Sequence, residues 1–287
     1  MFRTIDHHIK LLKTPQNGTS PYCNCTLIDG TVRVLIDASC GTELATKIRQ
    51  QGLDILLLTH FHYDHVICAK DLGATQTWCN QIEIAANQSL EEFQQMYGFH
   101  MFEGQKIGTF LIDTFQLEPK HISRGLNDGE ILDFGKVRLK VIHTPGHTPG
   151  HTSFFDEEKG ILIGGDIDPW YGCLCSDLDD YLETINKCIA LRPRLVISGH
   201  NGIVEEDVEK TFLGFRDRIL RREERIIQSL DTPRTFEDLA SLHTLIRVGK
   251  VFSPYQEFFN KHGVNNHLKR LIKMGRIRKD DDFYYRV

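Results

Sequence analysis

Ile55-Leu56-Leu57-Leu58-Thr59-His60-Phe61-His62-Tyr63-Asp64-His65 is the stretch on which the reading of this chain turns. An apolar run typical of a buried strand leads directly into three histidines and an aspartate, so the cluster sits where a strand gives way to a loop. Neutral imidazole is the commonest metal ligand, and a carboxylate beside it suits zinc or another divalent first-row metal. His60 and His62 lie two apart and point the same way from extended backbone. Asp64 and His65 follow once the chain has turned, and are placed to face a second metal from the other side. The chain holds 14 histidines, so a pair would be ordinary; this density beside an aspartate is not.

Three further segments supply complementary groups. Val141-Ile142-His143-Thr144-Pro145-Gly146-His147-Thr148-Pro149-Gly150-His151 is a strand running into a Pro/Gly turn that carries His147. Ile161-Leu162-Ile163-Gly164-Gly165-Asp166 and Leu195-Val196-Ile197-Ser198-Gly199-His200 are apolar strands that end in an aspartate and a histidine. Four strands thus each deliver a ligand-type residue at or near the C-terminal end, which is how a rigid scaffold assembles a metal site from distant parts of a chain.

On these residues the chain resembles the metallo-β-lactamase-fold hydrolase superfamily. His60, His62, Asp64 and His65 match its H-x-H-x-D-H signature, and His147, Asp166 and His200 match its later motifs in order, over roughly residues 18 to 205. The resemblance implies an α/β architecture, a four-layer αββα sandwich, and a dinuclear site. One metal would take His60, His62 and His147; the other would take Asp64, His65 and His200; Asp166 would bridge them. Two divalent ions, zinc first and iron or manganese next, would generate a bridging hydroxide near neutral pH. Asp64 would orient that nucleophile as the catalytic residue. The substrate classes implied are an ester, thioester or lactone, with metal-dependent ribonuclease or other nucleic-acid processing as the alternative. The Thr144-to-His151 segment looks like that of thioesterase- and lactonase-type members. His143 is expected in the core and His151 at the turn or behind the ligands, and Trp170 and Tyr171 are weak candidates for lining the substrate pocket.

Composition fits a large domain with a small one: 287 residues, 40% hydrophobic and 25% charged. Met1 to Lys13 shows no uninterrupted apolar core of a secretory signal, and no apolar stretch approaches membrane-span length. With 8 cysteines, two of them pairs of C-x-C type (Cys23/Cys25 and Cys173/Cys175) rather than the usual knuckle, the expectation is reduced thiols in a cytoplasmic, non-membrane protein. The net charge of −5 conceals an asymmetry: residues 210–287 hold 17 Lys+Arg and 10 Asp+Glu, a balance of +7 that leaves −12 for the rest. Arg216, Arg218, Arg221, Arg222 and Arg225, with Asp217, Glu223 and Glu224, read as the solvated face of one helix.

The expected division is residues 1–204 as the catalytic domain and 205–287 as a linking helix plus a small module. Asp29-Gly30 predicts a hairpin turn, Asn80 a helix cap, and Ser176 or Asp177 the start of a helix ending near Ala190. Residues 89–127 read as the least regular part, with Phe93, Met96, Tyr97, Phe99, Met101, Phe102, Phe110 and Phe115 as either a pocket floor or a local core. Beyond a long helix over 205–230, Thr235 caps a helix, two more are expected near Pro254–Lys261 and Asn265–Met274, and a hairpin closes around Asp280-Asp281-Asp282. This resembles the C-terminal winged-helix-like extension of the lactamase-like protein 2 branch. The acidic wing would repel phosphate, so the module is expected beside the active site or at a homodimer contact rather than on nucleic acid. The expected partner is a small-molecule substrate.

Overall fold

The computed structural model describes residues 2–168, 177–242 and 253–287; Trp170, Tyr171, Cys173, Cys175 and Leu245 lie outside the described residues. A seven-stranded sheet forms in chain order from β1 (Phe2–Thr4), β2 (Ile9–Leu12), β3 (Thr26–Asp29), β4 (Arg33–Ile36), β5 (Ile55–Leu57), β6 (Gln76–Asn80) and β7 (Arg124–Leu126). The turn after Asp29 closes the β3–β4 hairpin with Asp29 opposite Arg33, and from β4 onward the pairings are parallel. A six-stranded sheet follows, built from β8 (Ile131–Asp133), β9 (Arg138–His143), β10 (Thr152–Asp156), β11 (Ile161–Gly165), β12 (Leu195–Ser198) and β13 (Gly202–Val204).

The period of a strand explains the layering. In β5, Ile55 and Leu57 join Val34, Ile36, Phe154, Ile163 and Ile197 in a core between the two sheets. Leu56, with Leu58 just beyond, faces the opposite way, onto α1 (Thr42–Gln51) and the short α2 (Tyr63–Val66) and α3 (Ala69–Leu72), packing with Leu44, Ile48, Val66 and Leu72. Helices α4 (Ile84–Gln88), α5 (Leu90–Tyr97) and α6 (Gln105–Phe115) follow β6. On the far side, α7 (Leu178–Ala190) and the first half of α8 (Val208–Ser229) cover the second sheet through Tyr181, Ile185, Phe212 and Ile219. Two apolar-faced sheets and a helix layer on each outer face give the expected αββα order.

Two expectations are corrected. Residues 89–127 carry two well-formed helices: Ser89 caps α5 by accepting from Glu92 N–H, Gly98 ends it in the left-handed region, and α6 follows. The two helices expected within 254–274 are one, α10 (Pro254–Lys273), preceded by α9 (Phe236–Ser241). A capping box between Ser253 and Gln256 with Pro254 at the first turn starts α10. Gly263 lies buried within it, where burial of the flanking apolar residues outweighs the glycine's propensity cost of about 1 kcal/mol.

Asp177 caps α7 through Asp179 and Asp180 N–H, and Thr235 forms a capping box with Asp238. A three-stranded sheet closes the chain, with β16 (Phe283–Arg286) between β14 (Arg234–Thr235) and β15 (Ile277–Asp280). The end of α8 packs with α9, α10, β15 and β16 in a separate small core around Ile226, Leu239, Leu268 and Leu271. Thus α8 serves both cores. The solvated reading of its charged face is corrected at two positions: Arg222 and Glu223 are each only 5% exposed. Glu223 receives Arg270 at 2.6 Å, and Asp179 of α7 receives Arg270 and Lys273, each at 2.6 Å. No helix among the described residues is long and apolar enough to cross a membrane.

Candidate metal centre

Each of the seven residues read as ligands stands at or just past the end of a strand, and the structure brings all seven together. His60, His62, Asp64 and His65 follow β5; His147 lies in the turn between β9 and β10; Asp166 follows β11 and His200 follows β12. All but His200 are buried, and His200 is nearly so. The donor atoms fall into groups whose members lie within 4.8 Å of one another: His60, His62 and His147 in one, and Asp64, His65 and His200 in another. His147 Nε2 is 3.2 Å from His60 Nε2 and 2.9 Å from His62 Nδ1. Asp166 stands between the groups, with Oδ1 at 3.2 Å from His65 Nε2 and Oδ2 at 3.5 Å from His147 Nε2 and 3.4 Å from His200 Nε2. His200 Nε2 is also 3.5 Å from Asp64.

A surrounding set of bonds decides which nitrogen faces inward. Thr59 Oγ1 donates to Asp37 and so accepts from His60 Nδ1–H at 3.0 Å, leaving Nε2 for the centre. His65 Nδ1–H donates to Asp37 Oδ2 at 2.8 Å and His200 Nδ1–H to the Gly18 carbonyl at 2.6 Å. Hydrogen bonds on the outer nitrogen fix tautomer and ring orientation in metal sites. His151 accepts the Asp166 backbone N–H at Nε2 (2.9 Å) and bonds Thr144 through Nδ1, which holds the aspartate rather than joining the donors. His143 is half-buried at the end of β9, its Nε2–H on the Pro149 carbonyl at 2.8 Å, and not packed in the core as expected.

Close backbone packing completes the frame. A Cβ at Gly199 would collide with Asp166 Oδ1, and one at Gly146 with the backbone of Tyr181. Glycine therefore lets the strand end pass the carboxylate and lets the His147 turn lie on α7. That turn is held from the other side by Glu83, whose carboxyl oxygen Oε1 accepts from the Thr148 hydroxyl and, at 3.2 Å, from Gly150 N–H.

The donors suit divalent cations. An imidazole nitrogen carries at most one proton, so three converging ring nitrogens cannot all be satisfied by hydrogen bonds among themselves; a shared cation satisfies all three. His65 Nε2 and Asp166 Oδ1 are buried and, beyond their 3.2 Å approach to each other, have no hydrogen-bond partner among the described residues. Burial, then the neighbouring rings, holds His60 and His62 neutral, well below the usual histidine range, and burial also lowers His147. For His65 and His200 burial also opposes charge but is outweighed by carboxylates, Asp166 and Asp37 for the first and Asp166 and Asp64 for the second; His200 rises to about 9. Asp166 is pushed well below the usual carboxylate range, because His200 and His65 outweigh its burial. Without a metal, protons on these two rings do part of the work a cation would do.

Asp37 and Glu83 were not singled out from the sequence. Asp37 follows β4 as the other acids and histidines follow their strands, so the same strand-end pattern contained the signal; Glu83 carries none, lying in a helical turn.

The sequence matches the Metallo-beta-lactamase superfamily over residues 18–200. The chain is 26% identical over 285 residues to a beta-lactamase-like protein 2 homolog of Drosophila melanogaster, covering 93% of this chain and 88% of the relative. It is 33% identical over 153 residues to a hydroxyacylglutathione hydrolase of Haemophilus influenzae, covering 50% of this chain and 66% of that one. Among solved structures, a metallo-beta-lactamase family protein from Thermus thermophilus superposes with a TM-score of 0.77 at 24% identity, covering 99% of this chain and 100% of that chain. With the extended family match on residues that the fold gathers at one place, the chain belongs to the metallo-beta-lactamase superfamily.

Proposed function

We propose that this chain is a hydrolase that holds two divalent metal ions, zinc foremost, and cleaves a small-molecule ester, thioester or lactone. The observation that carries the reading is the position of Asp166, whose two carboxylate oxygens reach into both donor groups. His60, His62 and His147 would hold one ion, and Asp64, His65 and His200 the other, with Asp166 shared. When bound, such ions polarise a carbonyl oxygen and bring the pKa of water toward neutrality.

The chain's own residues do the rest. Asp64 stands at the rim of the second group, where its carboxylate orients the attacking water and takes up its proton. Thr59, Asp37 and Gly18 keep the ring nitrogens aimed, so little rearrangement accompanies the reaction. Tyr97 lies on His62 with ring centroids 4.2 Å apart and a 28° tilt, shielding one side of the centre from water.

Small-molecule hydrolysis is favoured over nucleic-acid cleavage by the fate of the basic helix. Arg270 of α10 is largely buried between Glu223 and Asp179, and Lys273, though exposed, is paired with Asp179, so the charge this helix leaves for phosphate is reduced. One assay separates the readings: metal-loaded protein is given p-nitrophenyl esters, S-lactoylglutathione and an acyl-homoserine lactone in parallel with single-stranded RNA. Turnover on one of the first three with intact RNA is expected; RNA cleavage without acyl turnover would overturn the proposal.

A further inference from the structure

The cleft over the donor cluster is walled by two parts of the chain far apart in sequence. His62, Tyr97, His147 and Thr148 come from the catalytic body, and Phe259 and His262 from α10. Tyr97 and Phe259, 6.3 Å apart between ring centres, make part of this wall apolar.

His262 differs from its neighbours. Its ring sits against Gly98, where a Cβ would come within 2.7 Å of Cε1, and lies 5.9 Å from the ring of Phe258. Nδ1 is buried and has no hydrogen-bond partner among the described residues. Burial first, then Lys269 and His100, lowers this imidazole to about 4, so the ring is neutral at physiological pH. An N–H sealed away from any acceptor is costly, which places the single proton on Nε2. One side of the ring packs on Gly98 and Phe258, which leaves the Nε2–H edge for the cleft that His62 and His147 of the donor cluster also line.

We propose that His262 is a specificity-determining residue whose Nε2–H donates to an oxygen on the otherwise apolar acyl group of the substrate, while Tyr97 and Phe259 hold the hydrocarbon. The inference rests on the acyl-hydrolase reading above and narrows its substrate class to short acyl groups that carry a hydroxyl or keto oxygen along the chain. A site with a donor lacking any protein partner discriminates against an analogue that leaves the donor unpaired. Because α10 supplies the donor, the C-terminal module is part of the acyl site.

The test compares N-acetylcysteamine thioesters of hexanoate and 3-hydroxyhexanoate on metal-loaded wild type, His262→Ala and His262→Gln. Wild type is expected to favour the hydroxylated substrate in kcat/KM by about tenfold. His262→Ala removes that preference, the ratio of the two kcat/KM values falling to near one through a raised KM for the hydroxylated substrate, and the amide donor of His262→Gln restores part of the ratio. Metal content stays unchanged in both variants. Equal loss on both substrates, or a preference that survives in His262→Ala, overturns the inference while leaving the hydrolase reading intact. A wild type with no thioesterase, esterase or lactonase activity brings down that reading and the inference with it. A second measurement needs no variant: the His262 Cε1–H resonance of the wild type is expected to shift on adding 3-hydroxyhexanoate and not hexanoate. Identical responses to the two acids overturn the inference.

Discussion

Asp37 and His65 are joined by a 2.8 Å hydrogen bond in which the imidazole Nδ1–H donates to the carboxylate, so His65 presents Nε2 to Asp166. Asp37 is 2% exposed, stands at a positive φ of 63°, and also accepts Thr59 N–H at 2.8 Å. An aspartate held in an uncommon backbone region by several separate bonds is a fixed point for the ligand loop. Asp37→Asn keeps the shape but offers His65 a poorer acceptor. Metal titration should show affinity falling by about 10- to 100-fold with the fold unchanged by circular dichroism; affinity equal to wild type would remove Asp37 from the site.

Asp166→Ala removes the only carboxylate among the described residues that reaches both donor groups, with contacts of 3.2–3.5 Å to His65, His147 and His200. Elemental analysis of the purified variant should therefore show both metal occupancies reduced, not one. Full occupancy of both would refute the bridging assignment.

Asp64→Asn leaves the His60, His62 and His147 group intact. It should retain most of one metal yet lose turnover by roughly 10²- to 10⁴-fold, the usual contribution of a positioned acid or base. Near-normal turnover on the best acyl substrate would show that Asp64 neither orients nor deprotonates the nucleophile.

Glu83 supplies a pH signature. Burial, only partly offset by the bonds from Thr148, Gly150 and Phe61, raises its carboxyl from 4.5 to about 8. The folded protein thus keeps a proton that the unfolded chain releases. Its contribution to stability is full below pH 4.5 and is lost as the pH rises through about 8. The loss is on the order of a few kcal/mol. Glu83→Gln, neutral at every pH, should flatten this part of the profile when chemical denaturation is followed across the range. Parallel profiles for the two proteins would show that Glu83 is ionised in the fold.

The C-terminal module is bound into the whole. Phe258 and Phe259 of α10 enter an aromatic core with Phe61, Phe93, Tyr97 and Phe99, and Leu268 and Leu271 complete the small core with Ile226 and Leu239. Removing residues 232–287 uncovers both surfaces. The truncated chain should aggregate or change oligomeric state by light scattering and lose activity. A soluble fragment of unchanged size and full activity would refute this structural role.

The clustering of the candidate donors was legible because strand-end histidines and acids are rare as a pattern, and four separate strands repeat it around His60, His147, Asp166 and His200. The sandwich was legible for the same reason, since β5, β9, β11 and β12 announce themselves as apolar runs. What the sequence did not disclose is long-range. Nothing near Pro254 says that Phe258 will lie 5.2 Å from Phe99, or that Arg270 will reach Glu223 rather than solvent. The continuity of α10 was not legible because the burial that carries the helix through Gly263 depends on surfaces supplied by α5 and α8. Glu83 was invisible because its partners are a hydroxyl and a backbone N–H, which leave no trace in spacing.

A single helix, α10, joins the cleft to the ion pairs with α7 and α8. From Phe259 to Arg270 the helical rise spans about 16 Å, with no loop on the way to absorb a rotation. The wall of the cleft is consequently tied through one continuous helix to Asp179 and Glu223. Damage to that distant arginine would therefore be felt as a change in what fits the cleft.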